Sequence, residues 1–258
     1  MSLSPHLPRA ALVTGAGKRI GRAIALDLAA RGFAVAVHYK GSAEAARDVV
    51  GEIAATGGKA VALQADLGDE AAVERLIPDA TAALGPIGVL VNNASSFEYD
   101  SAESATRAGW DRHMEANLRA PFVLIQQFAR HLPETAEGAV VNLLDQRVWN
   151  LTPHFVTYTV SKAALWTLTQ TLALALAPRI RVNGIGPGPT LASTHQTAAQ
   201  FAQQCADMPL GHGTSPEEIV AAVWFLLQAR AMTGQMLALD GGQHLGWAQP
   251  KQTLSVVD

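Results

Sequence analysis

The sequence predicts an α/β fold: a single domain built on a doubly wound, Rossmann-type sheet of seven parallel strands with helices on both faces. Two observations predict it. Short apolar β-type runs alternate with helix-length segments from end to end, as in a parallel sheet whose strands are buried on both faces. No Pro/Gly/Ser-rich linker or composition break divides the 258 residues, so they form one unit rather than two. Residues 10–247 read as the domain, residues 1–9, with two prolines and no apolar run, as a loose leader, and residues 248–258 as a tail.

The elements follow in order. Residues 10–14 give a first strand, and a helix over Ile20–Ala30 ends at Gly32, glycine being the common stop signal. Strand Phe33–Tyr39, helix Ser42–Ala55 stopped before Gly57-Gly58, strand Ala60–Ala65, helix Glu70–Leu84 and strand Val89–Asn92 complete the first half. The second half holds a helix over Ala108–His131 bent near Pro121, strand Gly138–Leu144, helix Thr157–Ala177, strand Ile180–Ile185, helix Pro216–Leu227 and strand Gln235–Leu239. Such sheets bind ligands at the carboxyl ends of their strands.

Composition narrows the function. The formal net charge is -3 and no Lys/Arg block occurs, which argues against nucleic acid as a partner. Cys205 is the only cysteine, so no internal disulfide or cysteine-based metal site is possible. The histidines, among them His38, His113, His154, His195, His212 and His244, lack metal-ligand spacing, and no metal is expected. No apolar stretch approaches the roughly 20 residues of a membrane span; the run Thr171–Ala177 stops at Pro178. The expected compartment is the cytoplasm.

The residues after the strands carry the chemistry. The first strand runs into Thr14-Gly15-Ala16-Gly17-Lys18-Arg19-Ile20-Gly21. Glycines at a strand-to-helix turn let backbone approach a pyrophosphate that sits on the helix N-terminus. The second strand ends in His38-Tyr39-Lys40-Gly41-Ser42 without the acidic residue of an NAD-selective site. Lys18, Arg19, Lys40 and Ser42 instead favour a ribose 2′-phosphate, hence NADPH. Asp66, with Leu67 beside it, is placed to accept from the adenine amine, or else caps the next helix. Asn92, Asn93 and Ala94 end the fourth strand, at the crevice.

Tyr158-Thr-Val-Ser-Lys162 puts a phenol and an ammonium on one helical face. A tyrosine titrates near pH 10, and a neighbouring ammonium favours its phenolate. Together with the glycine turn and Asn92-Asn93-Ala94, this pattern resembles the short-chain dehydrogenase/reductase family over about residues 9–246. The resemblance implies a proton relay through Tyr158 and Lys162, with Asn117 supporting a relay water. It also implies Pro187 and Gly188 beside the nicotinamide, and Leu239-Asp-Gly-Gly242 as the closing strand.

Two departures are informative. Arg19 stands where the family's middle glycine falls, and Asp145, 158 − 145 = 13 residues before the tyrosine, replaces the usual serine. Both resemble the pteridine reductase subgroup, as do His38–Ser42 and Asn92-Asn-Ala-Ser-Ser-Phe97. That resemblance implies that Phe97 stacks on a pterin, that Ser95 and Arg19 contact pterin or phosphates, and that Asp145 works with Tyr158 on the proton. Residues 190–210, the expected substrate lid, are shorter and more polar than the subgroup suggests.

The expected function is therefore NADPH-dependent reduction of a pterin-like C=N bond, with Tyr158 as proton donor. Reduction of another carbonyl or quinone, or cofactor sensing without catalysis, are the alternatives. The helix around Leu165–Leu176, the helix carrying Met114, Leu118, Phe122 and Ile125, and the closing segment Met236–Trp247 are apolar beyond what one sheet face needs, which predicts a homotetramer.

Overall fold

The computed structural model describes residues 2–193 and 196–246. Seven strands form one sheet in the order β3-β2-β1-β4-β5-β6-β7, every neighbouring pair parallel. They are β1 (Ala10–Val13), β2 (Ala34–Tyr39), β3 (Ala60–Gln64), β4 (Val89–Asn92), β5 (Gly138–Leu143), β6 (Ile180–Pro187) and β7 (Met236–Leu239). Strand order reverses between β1 and β4, and the crevice of a doubly wound sheet opens at such a reversal. β1, β4 and β5 are buried throughout, which explains their continuous apolar runs.

The described helices are α1 (Arg19–Ala30), α2 (Ala43–Ala55), α3 (Glu70–Leu84), α4 (Arg107–Met114), α5 (Ala120–His131), α6 (Val156–Leu176), α7 (Ala198–Ala206) and α8 (Pro216–Gln228). α1, α2 and α8 bury Ile24, Leu28, Val49, Ile53, Ile219 and Leu226 on one face of the sheet. α3, α5 and the end of α6 bury Leu76, Ile77, Leu124, Phe128 and Ala173 on the other. None of these helices is long and apolar enough to cross a membrane.

Three differences from expectation have physical causes. The loose leader is packed over its second half: Leu7 joins the core, Ser4 is buried and the His6 carbonyl accepts from the Glu137 amide at 3.0 Å. The single bent helix over 108–131 is α4 and α5 joined by a π-helical turn, Glu115–Arg119. Pro121 lacks the amide hydrogen that the carbonyl four residues back would receive, and one wider turn absorbs that without a break. The polar segment 190–210 contains α7, opened by a capping box in which Thr197 and Gln200 hold each other's backbone. Its signature, Thr-x-x-Gln, is in the sequence even though apolar periodicity is weak there. His195 and Trp247 lie outside the described residues.

A buried histidine underpins the sheet's crevice end. His38, at the end of β2, accepts the Gly15 amide at Nδ1 (3.0 Å) and meets the Ala65 carbonyl at Nε2 (3.2 Å). That pairing requires the neutral Nε2–H tautomer. Burial lowers the His38 pKa from 6.5 to about 4. A histidine kept neutral by the fold contributes stability that is complete above pH 6.5 and lost as pH falls toward 4. Denaturant unfolding between pH 7 and pH 4 should lose on the order of 3 kcal/mol more in the native protein than in His38→Gln.

Candidate active site

The turn after β1 is held from three directions. The Thr14 hydroxyl accepts from the Asn93 and Ala94 amides, both at 2.9 Å. Asn93 Nδ2 donates to the Thr14 carbonyl (2.8 Å) and the Gly15 carbonyl (3.3 Å). His38 holds the Gly15 amide. Gly15 has φ +63°, a conformation that glycine adopts without steric cost. A Cβ on Gly21 would collide with the Gly15 carbonyl and Asn93 Nδ2, so the first turn of α1 can sit this close to the strand only with glycine.

The helix ends suit a phosphate. α3, α4, α7 and α8 are capped by the side chains of Asp69, Thr106, Thr197 and Ser215. α1 and α2, which begin at the crevice, have Lys18 and Ser42 at their N-caps and no side-chain cap. Their first-turn amides are left for an anion, and the helix dipole adds to the attraction. The residues present therefore fit a dinucleotide phosphate group.

Other expected cofactor residues are placed differently. His38 is behind the glycine turn, fully buried, and supports it rather than lining the crevice. Leu67 is buried among core residues on the α3 side, so only its main chain can face a ligand. Tyr39 packs partly against the core. Lys40 pairs with Asp66 at 2.8 Å, and that contact holds the Asp66 carboxyl below its usual range. Asp66 Oδ1 also accepts the Gly68 amide at 3.0 Å. Arg19 has φ +53° and donates to the carbonyls of Ala192 (3.0 Å) and Leu191 (3.2 Å). Its side chain thus ties the glycine turn to the segment after β6.

A cleft of about 330 Å³ opens beside this turn, lined among others by Arg19, Ile20, Asn93, Ser95, Phe97, Asp145, Tyr158, Lys162, Pro187 and Gly188. The phenol O–H of Tyr158 donates to Asp145 Oδ2 at 2.9 Å. Lys162 is buried, and its Nζ donates to the Leu143 carbonyl at 2.7 Å. Burial lowers its pKa to about 8, against the pull of Asp145. The expected acidification of Tyr158 is outweighed. Burial first, then the charge of Asp145, raise the tyrosine pKa well above its ordinary value, and Arg147 opposes them. At neutral pH the phenol keeps its proton.

Asn117 occupies the π turn and is fully buried. Oδ1 accepts from the Ser96 amide (2.8 Å) and Ser95 Oγ (3.1 Å), and Nδ2 donates to the Ser96 carbonyl (2.9 Å) and Ser161 Oγ (3.0 Å). These four bonds use the whole capacity of the amide. Its side chain braces the loop after β4 against α6 and has no bonding capacity left over, so a relay water beside Lys162 would meet the main chain of this turn instead.

Phe97, on that braced loop, stacks on Phe155 (centroids 4.5 Å apart, planes 7° apart) and meets Tyr158 edge-on at 4.7 Å. It stays 41% exposed, so part of the ring is open to the cleft beside the phenol. Sequence reasoning missed Phe155 and Arg147, both of which line the cleft. Phe155 precedes α6 in the left-handed conformation, and no spacing rule marks it. Trp149 packs on Trp166 and His244, outside the cleft. His113, His154, His212 and His244 each bond to a neighbouring protein group, and no metal-ligating cluster occurs among the described residues.

Fold and site together define a nicotinamide-type oxidoreductase. The family model described as enoyl-(acyl carrier protein) reductase matches residues 15–244. The chain is 46% identical to the FolM alternative dihydrofolate reductase 1 of Brucella suis, whose crystal structure is a complex with NADP; the match covers 95% of this chain and 98% of that one at a TM-score of 0.91. It is 34% identical to a 3-oxoacyl-[acyl-carrier-protein] reductase of Staphylococcus aureus over 93% of this chain and 99% of the relative. It is also 34% identical to 3beta-hydroxysteroid dehydrogenase 1 of Eggerthella lenta, over 91% and 93%. The chain belongs to the short-chain dehydrogenase/reductase family, and within it resembles the pteridine and folate reductases.

Arg19→Gly isolates the tie between the glycine turn and the segment after β6. Relief of a left-handed conformation, worth about 1–2 kcal/mol, offsets the loss of two exposed hydrogen bonds worth about 1 kcal/mol each. The midpoint of thermal unfolding should therefore shift little, while KM for the reducible substrate rises about fivefold as the segment loosens. Differential scanning calorimetry and steady-state kinetics on the same variant check both halves.

Proposed function

We propose that this protein reduces a C=N bond of a dihydropterin or dihydrofolate with NADPH, Tyr158 supplying the proton. The observation that carries the reading is the Tyr158–Asp145 hydrogen bond beside the half-exposed ring of Phe97. Likeness to a NADP-bound dihydrofolate reductase of the same family supports it.

The cofactor is NADPH: the uncapped starts of α1 and α2, with Lys18, Arg19, Ser42 and Lys40 near them, suit its phosphates. When bound, it supplies a hydride from its nicotinamide ring. Gly15 and Gly21 let the backbone close on it, and Asn93, Ala94, Pro187 and Gly188 line its crevice. Phe97 offers a flat apolar face, so a planar heterocycle lies against it with its reducible bond near Tyr158. The phenol gives its proton to the nitrogen of that bond. Lys162, anchored on the end of β5, holds positive charge beside the phenol as it becomes anionic. Asp145 accepts a hydrogen bond from the phenol in the resting site and meets a ring N–H of the substrate, a double duty for which serine lacks the charge. Ser95 adds a polar contact at the mouth.

The assay is oxidation of NADPH with dihydrobiopterin, dihydrofolate and simple ketones, with Tyr158→Phe as control. The dihydropterins should turn over fastest, NADH should bind about tenfold more weakly than NADPH, and Tyr158→Phe should lose at least about 100-fold in kcat. Turnover of ketones alone would favour the carbonyl-reductase alternative, and cofactor binding without turnover of any acceptor the sensor.

This reading includes a homotetramer in the cytoplasm. Leu174 on α6 is 83% exposed, Leu245 near the chain's end is 74% exposed, and Val160 and Phe225 are exposed apolar groups as well. Ile125, counted on α5 from sequence, is fully buried within the subunit and contributes nothing. Two separate apolar faces suit two isologous interfaces, which close into a tetramer. Light scattering should give four times the single-chain 27.1 kDa; a mass of one chain would refute it.

A further inference from the structure

Arg147 lies two residues past Asp145, in the short 3-10 turn Gln146–Val148. Its main-chain amide donates to Asp145 Oδ1 at 2.8 Å, and its Nη1 donates to Asp145 Oδ2 at 3.2 Å. Oδ2 is the same oxygen that accepts the Tyr158 hydroxyl. The Arg147 side chain is 19% exposed. Its Nε is buried with no hydrogen-bond partner among the described residues, and its guanidinium carbon lies 5.2 Å and 5.7 Å from the ring centres of Phe155 and Phe97. A guanidinium held out of water with a donor unfilled is costly, so stability alone does not account for its position.

We propose that Arg147 is a positioning residue for proton delivery. Its grip on both oxygens of Asp145 fixes Oδ2 as the acceptor of the Tyr158 hydroxyl, and its positive charge offsets the carboxylate beside that phenol. The proposal rests on Tyr158 as proton donor and is independent of which substrate is reduced.

The charges around Tyr158 support it. His113 faces the phenol ring from α4, its centroid 6.0 Å away, and is held by the Glu98 amide and Thr157. Lys162 lies on α6 itself, 5.8 Å from the ring centre, and its ammonium is engaged by the Leu143 carbonyl. Arg19 stands across the cleft, turned to Leu191 and Ala192. Asp145 is the only acidic residue lining the cleft among the described residues. A lone carboxylate next to a buried phenol would tighten its hold on the proton, and Arg147 is the cation in direct contact with that carboxylate. The backbone bond from residue 147 to Oδ1 survives any substitution except proline, so the variants below change the charge and the Nη1 contact alone.

Arg147→Met and Arg147→Lys are compared with the unaltered protein, using NADPH and the fastest acceptor from the substrate panel. The methionine variant should lose about tenfold or more in kcat, with KM and the NADPH dissociation constant within about threefold. Its solvent deuterium isotope effect on kcat should rise as proton delivery becomes limiting. Arg147→Lys, which restores the charge, should recover most of the loss. A tenfold rise in KM with kcat intact would make Arg147 a substrate-binding group and overturn the proposal. So would unchanged kinetics, or a lysine variant no better than methionine. If the methionine variant fails to fold, Arg147→Gln tests the charge by itself, since it keeps a donor toward Asp145; a kcat equal to that of the unaltered protein would then overturn the proposal, and a loss of about tenfold recovered by lysine would support it. Absence of turnover by the unaltered protein with every acceptor would instead sink the reductase reading on which the comparison depends.

Discussion

Four hydrogen bonds to one amide organise the working end of this molecule. Asn117, sealed inside a π turn, binds the loop after β4 with three of them and Ser161 of α6 with the fourth. Phe97 rides on that loop, and Tyr158 and Lys162 flank Ser161 on the helix. The distance between the aromatic platform and the phenol is thereby set by a rigid, buried group and not by exposed loop contacts. Each of those bonds is satisfied at both ends, and that is the condition under which a buried polar network rigidifies a structure instead of weakening it.

The opposite wall is fixed by charge. Asp145 is held by Arg147 and by Tyr158, and Lys162 by the end of β5. Burial raises the pKa of the tyrosine and lowers that of the lysine, so the phenol rests protonated beside an ammonium whose pKa has fallen to about 8. A phenol so placed holds its proton more tightly than a free tyrosine, against the simple expectation that a lysine one turn away acidifies it. Desolvation is the stronger influence in a site this deeply enclosed.

Much of this was legible in the sequence, for identifiable reasons. Seven short apolar runs separated by helical segments gave the sheet, because runs bounded by turn residues and only roughly 4–8 residues long are too short for helices. The glycine turn, Tyr158, Lys162 and Asp145 were legible because their chemistry depends on local spacing. What could not be read depends on contacts distant in sequence. His38 stands at the end of the second strand like a cofactor residue, but its bonds to Gly15 and Ala65 place it behind the glycine turn. Phe155 meets Phe97 across 58 positions and shows no pattern. Arg147 was within two residues of a site already identified, yet only the fold reveals that it turns back upon it. The π turn could be anticipated only as a bend, since a proline signals that a helix must adjust but not how.

The bare N-termini of α1 and α2 carry a consequence for anyone wishing to make this protein hardier. Aspartate at position 18 would satisfy amides that no side chain caps now, and a new cap of that kind adds about 1 kcal/mol to a folded chain. The gain would come at the point where a ligand anion is meant to do the capping, and the new carboxylate would repel it. Resilience of the fold and grip on its nucleotide are thus in opposition at this helix end, and a protein that leaves the amides bare has kept the second at the expense of the first.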